Sequence, residues 1–249
     1  VLTNLILGDC LDALADLDPA SVDFLFADLP YGTTACAWDS VIPFDALWPL
    51  LNRVCKPNAA MVFTAAQPFT TALIGSNLKA FRYCWVWAKN MPTGFANARK
   101  MPMRSHEDIA VFYRRLPTYN PQPTASKIKN PAYFGRRQIR KKTNASGLYG
   151  DLSNDGSESH LTPVVLPRSV VEIDCHPRAL GTVHPTQKPV ALIEYLIATY
   201  SNPGDVVLDP TMGSGTTGVA ARNLGRGFIG IERDPTYFAT ASARIAAAK

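Results

Sequence analysis

Val206-Val207-Leu208-Asp209-Pro210-Thr211-Met212-Gly213-Ser214-Gly215-Thr216-Thr217-Gly218 passes from three branched apolar residues through an acid and a proline into glycines spaced G-x-G-x-x-G. The pattern predicts a buried strand, a tight turn and the start of a helix. Glycine lets such a turn bend sharply and approach a ligand, and the helix amino terminus offers unpaired N–H groups. A second apolar run, Gly227 to Ile231, ends at Glu232, where a carboxylate can accept hydrogen bonds from ribose hydroxyls. Together these features read as a nucleoside-cofactor site. NAD is the rival, since the same fingerprint serves dinucleotides. Asp209 and the hydroxyls of Ser214, Thr216 and Thr217 suit an amino-acid-bearing nucleoside such as S-adenosylmethionine better. No lysine follows the glycines, which argues against a nucleotide-hydrolysing P-loop. A glycine-rich turn without a ligand is the bland alternative.

Outward from this loop, apolar runs at Leu5 to Leu7, Val22 to Ala27, Ala60 to Thr64, Tyr83 to Trp87 and Ile109 to Tyr113 read as further strands. Helical spacing of apolar residues falls between most of them, at Leu11 to Leu17, Phe44 to Val54, Phe69 to Leu78, Pro189 to Tyr200, Thr217 to Leu224 and Pro235 to Ala248. Alternating strands and helices predict an α/β fold built on a doubly wound, mostly parallel sheet. From about Leu116 to Thr182 the pattern lapses into Pro, Asn, Ser, Gly and basic residues, which reads as an inserted recognition region. The expected organisation is a catalytic half over residues 1–115, the insertion over 116–182 and a cofactor-binding half over 183–249.

At 249 residues and 47% apolar, the chain can bury a sizeable core. Its longest apolar stretches, Ala59 to Ala66 and Val190 to Ala198, are too short to span a membrane, and no signal-type segment opens the sequence at Val1. A cytoplasmic location is expected. The five cysteines are scattered without a close pair, which suggests reduced thiols, and the histidines supply no zinc-site spacing, so no metal is expected. The net charge is +5, yet Lys127, Lys129, Arg136, Arg137, Arg140, Lys141 and Lys142 fall within sixteen residues that hold no acid. Without those seven charges the rest of the chain stands at −2. Such clustering is an electrostatic footprint of polyanion binding, with a solvated loop as the alternative.

Asp28-Leu29-Pro30-Tyr31 follows Val22 to Ala27 and so opens onto the same sheet edge as the glycine loop. By itself it is common turn composition. In combination with Asp209 to Thr217 and His184-Pro185-Thr186-Gln187-Lys188-Pro189, it resembles the amino-methylating DNA methyltransferases, in the order where the catalytic motif precedes the cofactor loop. Gly8-Asp9-Cys10 is similar to that family's amino-terminal cofactor segment, and Thr93-Gly94-Phe95 and His106-Glu107-Asp108 resemble phage and prophage members. The resemblance implies S-adenosylmethionine as cofactor and DNA as partner, with no membrane, and leaves open a homodimer and a restriction partner. It places Asp9 and Cys10 near the adenine of the cofactor and Glu232 on the ribose. Asp209, Gly213, Gly215 and Thr216 fall around the methionine portion, with Lys188 at its carboxylate. For Asp9 a helix cap is the competing role, and for Lys188 a solvated position beside a helix start.

The resemblance also implies that Asp28 and the Pro30 carbonyl accept the two hydrogens of an exocyclic amine, that Tyr31 stacks on the base, and that the base is extruded from the duplex. Leu29 stands where the family has a first proline, and Thr211 where it has an aromatic residue. Adenine N6 is the expected target because Asp opens the catalytic motif, and cytosine N4 is the alternative. More distant readings are an NAD oxidoreductase, a non-catalytic DNA-binding relative, and RNA as the substrate.

Overall fold

A computed structural model of the chain describes residues 2–32, 40–125, 137–138, 159–160, 164–175 and 187–248. Two compact units emerge: Val1–Asn120 with Arg168–Lys249, and Pro121–Pro167. The first carries strands β1 (Thr3–Leu7), β2 (Val22–Ala27), β3 (Cys55–Ala65), β4 (Phe81–Thr93) and β5 (Arg104–Phe112). In the second lie β6 (Thr124–Ala125), β7 (Arg137–Gln138), β8 (Ser159–His160) and β9 (Val164–Val165), paired as the antiparallel ladders β6 with β9 and β7 with β8. The first unit then resumes with β10 (Val170–Glu172), β11 (Val206–Asp209) and β12 (Gly227–Glu232).

Among the described residues the main sheet has eight strands in the order β1-β12-β11-β2-β3-β5-β4-β10. All neighbours are parallel except at β5, which runs antiparallel to both β3 and β4. Period-two alternation divides the strand residues between two cores. Leu25, Ala27, Met61, Phe63, Ala110 and Phe112 point into one, with helices α1 (Cys10–Asp16), α2 (Phe44–Val54) and α3 (Phe69–Ser76) packed over them. Phe24, Phe26, Val62, Ile109, Val111 and Val207 point into the other, beneath α4 (Val190–Tyr200), α5 (Thr216–Asn223) and α6 (Pro235–Ala247). This is the doubly wound α/β architecture expected from the sequence.

The chain leaves β2 toward β3 on one side and β11 toward β12 on the other, so the β2–β11 pair is the topological switch point. Asp28 and Pro210 therefore follow adjacent parallel strands at their carboxyl ends, the preferred place for a ligand crevice. Several strands outrun their apolar runs. β4 and β5 extend to a Thr93–Arg104 pairing because the hairpin ladder continues beyond the core into exposed residues. Val170–Glu172, within the stretch expected as insertion, pairs with Val86 to Ala88 as an edge strand of the main sheet. Of the basic cluster, Arg137 lies in β7, while Lys127, Lys129, Arg136, Arg140, Lys141 and Lys142 lie outside the described residues, as do His184, Pro185 and Thr186.

Candidate active site

A cavity of about 720 Å³ opens at the switch point and is lined by both Asp28 and Gly213. Its volume falls in the roughly 300–1,000 Å³ range of small-molecule sites. Asp9, Cys10, Thr211, Thr216 and Glu232 border it from the glycine-loop side, and Pro30, Tyr31, Glu107 and Lys188 from the Asp28 side. No helix among the described residues is long and apolar enough to cross a membrane, and no group of three or more potential metal ligands occurs among them.

The glycines of the loop do different things. Gly213 has φ +51° and open space where a Cβ would stand, so its backbone can meet a ligand. Gly215 caps α5 at φ +79°, and a Cβ there would come within 2.9 Å of Ala241 on α6. At Gly218 a Cβ would overlap Ile245 and Phe228. Only the first of the three lines the cavity, while the other two permit the turn and the close approach of α5 to α6 and β12.

Asp209 is buried, with one carboxylate oxygen accepting from the Thr211 N–H at 3.0 Å and the other from the Thr217 hydroxyl. Burial pushes its pKa up to about 7, against the lowering effect of those two bonds. Since the folded value lies above the ordinary 3.8, Asp209 favours the fold at low pH, and that contribution is lost as pH rises through about 7. Asp209→Asn, which removes the charge, should therefore flatten the fall in Tm over this window; an unchanged pH profile in calorimetry would contradict the assignment.

Glu232 accepts from Gly213 N–H at 2.9 Å and Asp234 N–H at 2.8 Å, which fixes the loop against the end of β12. A carboxylate has about four acceptor positions, so about two stay open to a diol. Asp9 caps α1 by accepting from Leu11 N–H at 2.8 Å and also lines the cavity. Burial, then Asp9, raises the Cys10 thiol to about 11 and keeps it neutral. Thr216 is 7% exposed, and its hydroxyl is buried without a hydrogen-bond partner among the described residues. An orphaned hydroxyl beside an open glycine, with two carboxylates as acceptors at the edge, is a polar lining that fits an amino-acid-bearing nucleoside. Glu232→Ala should weaken binding of S-adenosylmethionine about 10- to 100-fold by calorimetry, the loss expected for hydrogen bonds to a charged group; unchanged affinity would remove Glu232 from the cofactor site.

On the other side, Asp28 is held by three donors: Lys188 Nζ at 2.6 Å, the Tyr31 hydroxyl at 2.9 Å and the Thr64 hydroxyl at 2.5 Å. Lys188 also lies 3.5 Å from Glu107, which pairs with Lys89 at 2.9 Å. Burial alone would lower the Lys188 pKa, but Asp28, then Tyr31 and Glu107, raise it. Burial raises Glu107, yet Lys188 and Lys89 together bring it below the ordinary carboxylate range. Burial, then the Asp28 charge, pushes Tyr31 well up, so its phenol stays a donor. Its ring stacks on Phe69 at 4.9 Å, which occupies one face.

Lys188 thus stands against Asp28 and Glu107, where two carboxylates pair with its ammonium, and it lines the cavity instead of standing solvated beside a helix start. Leu29 is 3% exposed and packs into the core that Phe63 and Phe69 share, an apolar role that needs no proline. Thr211 directs its hydroxyl to the Asp28 carbonyl at 3.3 Å, which ties the glycine loop to the Asp28 segment. Thr64, Lys89 and Glu107 were not singled out as site residues from the sequence. The available signal was the acidic pair Glu107-Asp108 immediately preceding the apolar run of β5.

The family model described as DNA methylase, of the N6/N4 type, matches residues 22–243. The type II methyltransferase M1.MboII of Moraxella bovis is 29% identical, with 92% of this chain and 91% of that protein covered. DNA adenine methyltransferase YhdJ of Escherichia coli is 30% identical, covering 94% of this chain and 79% of that protein. Among solved structures, the M1.HpyAVI–SAM complex aligns with TM-score 0.64 and 25% identity over 98% of this chain and 99% of that one. The cytosine-N4-specific PvuII DNA methyltransferase aligns with TM-score 0.67 and 16% identity over 98% of this chain and 86% of that one, a likeness of fold.

Proposed function

This chain belongs to the N6/N4 DNA methylase family of S-adenosylmethionine-dependent DNA methyltransferases, and from that premise we propose that it methylates the N6 amine of an extruded adenine held at Asp28. The observation that carries this reading is the shared cavity: a carboxylate suited to an amine and a glycine loop suited to the cofactor face one space. The name of the Escherichia coli relative and the Asp that opens the catalytic motif both favour adenine over cytosine.

S-Adenosylmethionine supplies an electrophilic sulfonium methyl, whose carbon–sulfur bond breaks as the nitrogen–carbon bond forms. Glu232 would hold the ribose, and Thr216 and the Gly213 backbone the methionine portion, with Asp9 and Cys10 beside the adenine ring. An exocyclic amine is a poor nucleophile because its lone pair is delocalised into the ring. Asp28 has one acceptor position left after Lys188, Tyr31 and Thr64, out of about four on a carboxylate. In the proposed complex that position and the Pro30 carbonyl take the two amine hydrogens, which turns the nitrogen lone pair toward the methyl and stabilises the developing cation. The extra proton then passes to water. Tyr31 would stack on the base with the ring face opposite Phe69. The basic residues of 127–142 would neutralise phosphates.

Sequencing that detects modified bases in DNA from cells expressing the chain tests this. N6-methyladenine in one short sequence context is the expected result; N4-methylcytosine would transfer the reading to the other base, and unmodified DNA would end it.

A further inference from the structure

One surface beside the cavity has no part in the chemistry above. β4 lies parallel to β2 through the antiparallel β5, so the β4–β5 hairpin rises at the same sheet edge as Asp28. Its residues Met91, Thr93, Gly94, Phe95 and Arg104 line the cavity. At its tip Phe95 is 82% exposed. The tip is nonetheless a formed structure. Gly94 turns the chain at φ +90°, a conformation that favours glycine, and the Gly94, Phe95 and Asn97 carbonyls accept from the N–H groups of Asn97, Ala98 and Lys100 at 2.8–3.0 Å. A defined turn thus holds an aromatic ring out in water at the entrance of the cavity.

Charge narrows what can cover that ring. From Lys89 to His106 the sequence contains Lys89, Arg99, Lys100 and Arg104 and no acid, and Arg99, Lys100 and Arg104 are exposed. An apolar ring among exposed cations suits a partner that offers flat apolar faces between anionic groups, the character of a base stack between phosphates. The cavity below provides for one base, and extruding that base leaves a gap in the stack at the position the hairpin overlooks.

We propose that the β4–β5 hairpin opens the duplex: Phe95 enters the base stack in the space vacated by the target base, and Arg99, Lys100 and Arg104 hold the flanking phosphates. This rests on the reading that the chain methylates a base within DNA. A wedge lowers the cost of extrusion and has nothing to do when the base is already unpaired.

The test compares Phe95→Ala and Phe95→Trp with the wild type on two substrates containing the sequence found methylated in cells. One is a fully paired duplex, and in the other the target base faces an abasic site. Binding of S-adenosylmethionine serves as the check on folding. For Phe95→Ala, kcat/KM should fall about tenfold or more on the paired duplex and stay within about twofold on the abasic one, while Phe95→Trp retains activity on both. An equal fall on both substrates would overturn the wedge and make Phe95 a platform for the target base itself. No fall on either would leave the ring without a role in opening. Unmodified DNA in cells expressing the chain would refute the underlying methylation reading, and the wedge with it.

Discussion

Asp28→Ala should lower methyl transfer to DNA by about 10²–10³-fold or more, the loss seen when a preorganised group facing developing charge is removed. Affinity for S-adenosylmethionine should be almost unchanged, because Asp28 lies across the cavity from the Glu232 and Thr216 side. Asp28→Asn retains one acceptor oxygen and should fall between the wild type and Asp28→Ala. Rapid-quench turnover with labelled cofactor, together with equilibrium binding of the cofactor alone, measures both quantities. Substantial turnover by Asp28→Ala would remove Asp28 from the chemistry, and loss of cofactor binding would make it a structural residue.

Lys188→Met should reduce both stability and activity. The Lys188 side chain is 11% exposed and that of Asp28 25%, so removing the ammonium leaves two largely dehydrated carboxylates, Asp28 and Glu107, in mutual repulsion. Breaking a buried pair costs about 3–5 kcal/mol; partial exposure brings the expected loss to roughly 2–3 kcal/mol. In a domain of this size that is a fall in Tm of roughly 5–10 °C. Turnover should fall about 10²-fold, since the carboxylate loses the donor that sets its orientation. Lys188→Arg keeps the charge and should recover most of the stability. A Tm for Lys188→Met equal to the wild type would mean that the ammonium does not hold these carboxylates.

The parts of this molecule legible in its sequence are those set by short-range pattern. Val22 to Ala27 and Val206 to Leu208 could be read as buried strands because their neighbours in sequence decide it, and Asp28 and Asp209 then fall at strand ends. The glycine spacing was ambiguous in itself, since Gly215 and Gly218 serve backbone turning and helix packing and would do so in a dinucleotide site as well. Family membership decides between the two cofactors.

The direction of β5 was not legible, and much followed from it. Because β5 runs antiparallel, its amino-terminal residues lie at the carboxyl edge of the parallel strands, which brings Glu107 to the site. The Lys188–Asp28 pair joins residues 160 positions apart, a separation no local pattern encodes. The anions beside Lys188, Glu107 on β5 and Asp28 at the end of β2, are for the same reason not readable from its neighbours in sequence. Of the two departures from the family motif, Leu29 fills the core and Thr211 joins the two halves of the site through the Asp28 carbonyl, roles that the motif comparison does not supply.

A crystal structure of the protein with S-adenosylmethionine and a duplex containing its methylated sequence tests the central claim most directly. The account expects the cofactor against Gly213, Thr216 and Glu232, and an extruded adenine whose N6 lies about 3 Å from Asp28, on the side of the methyl group. A cofactor bound away from the glycine loop, or an adenine amine out of hydrogen-bond reach of Asp28, would contradict it.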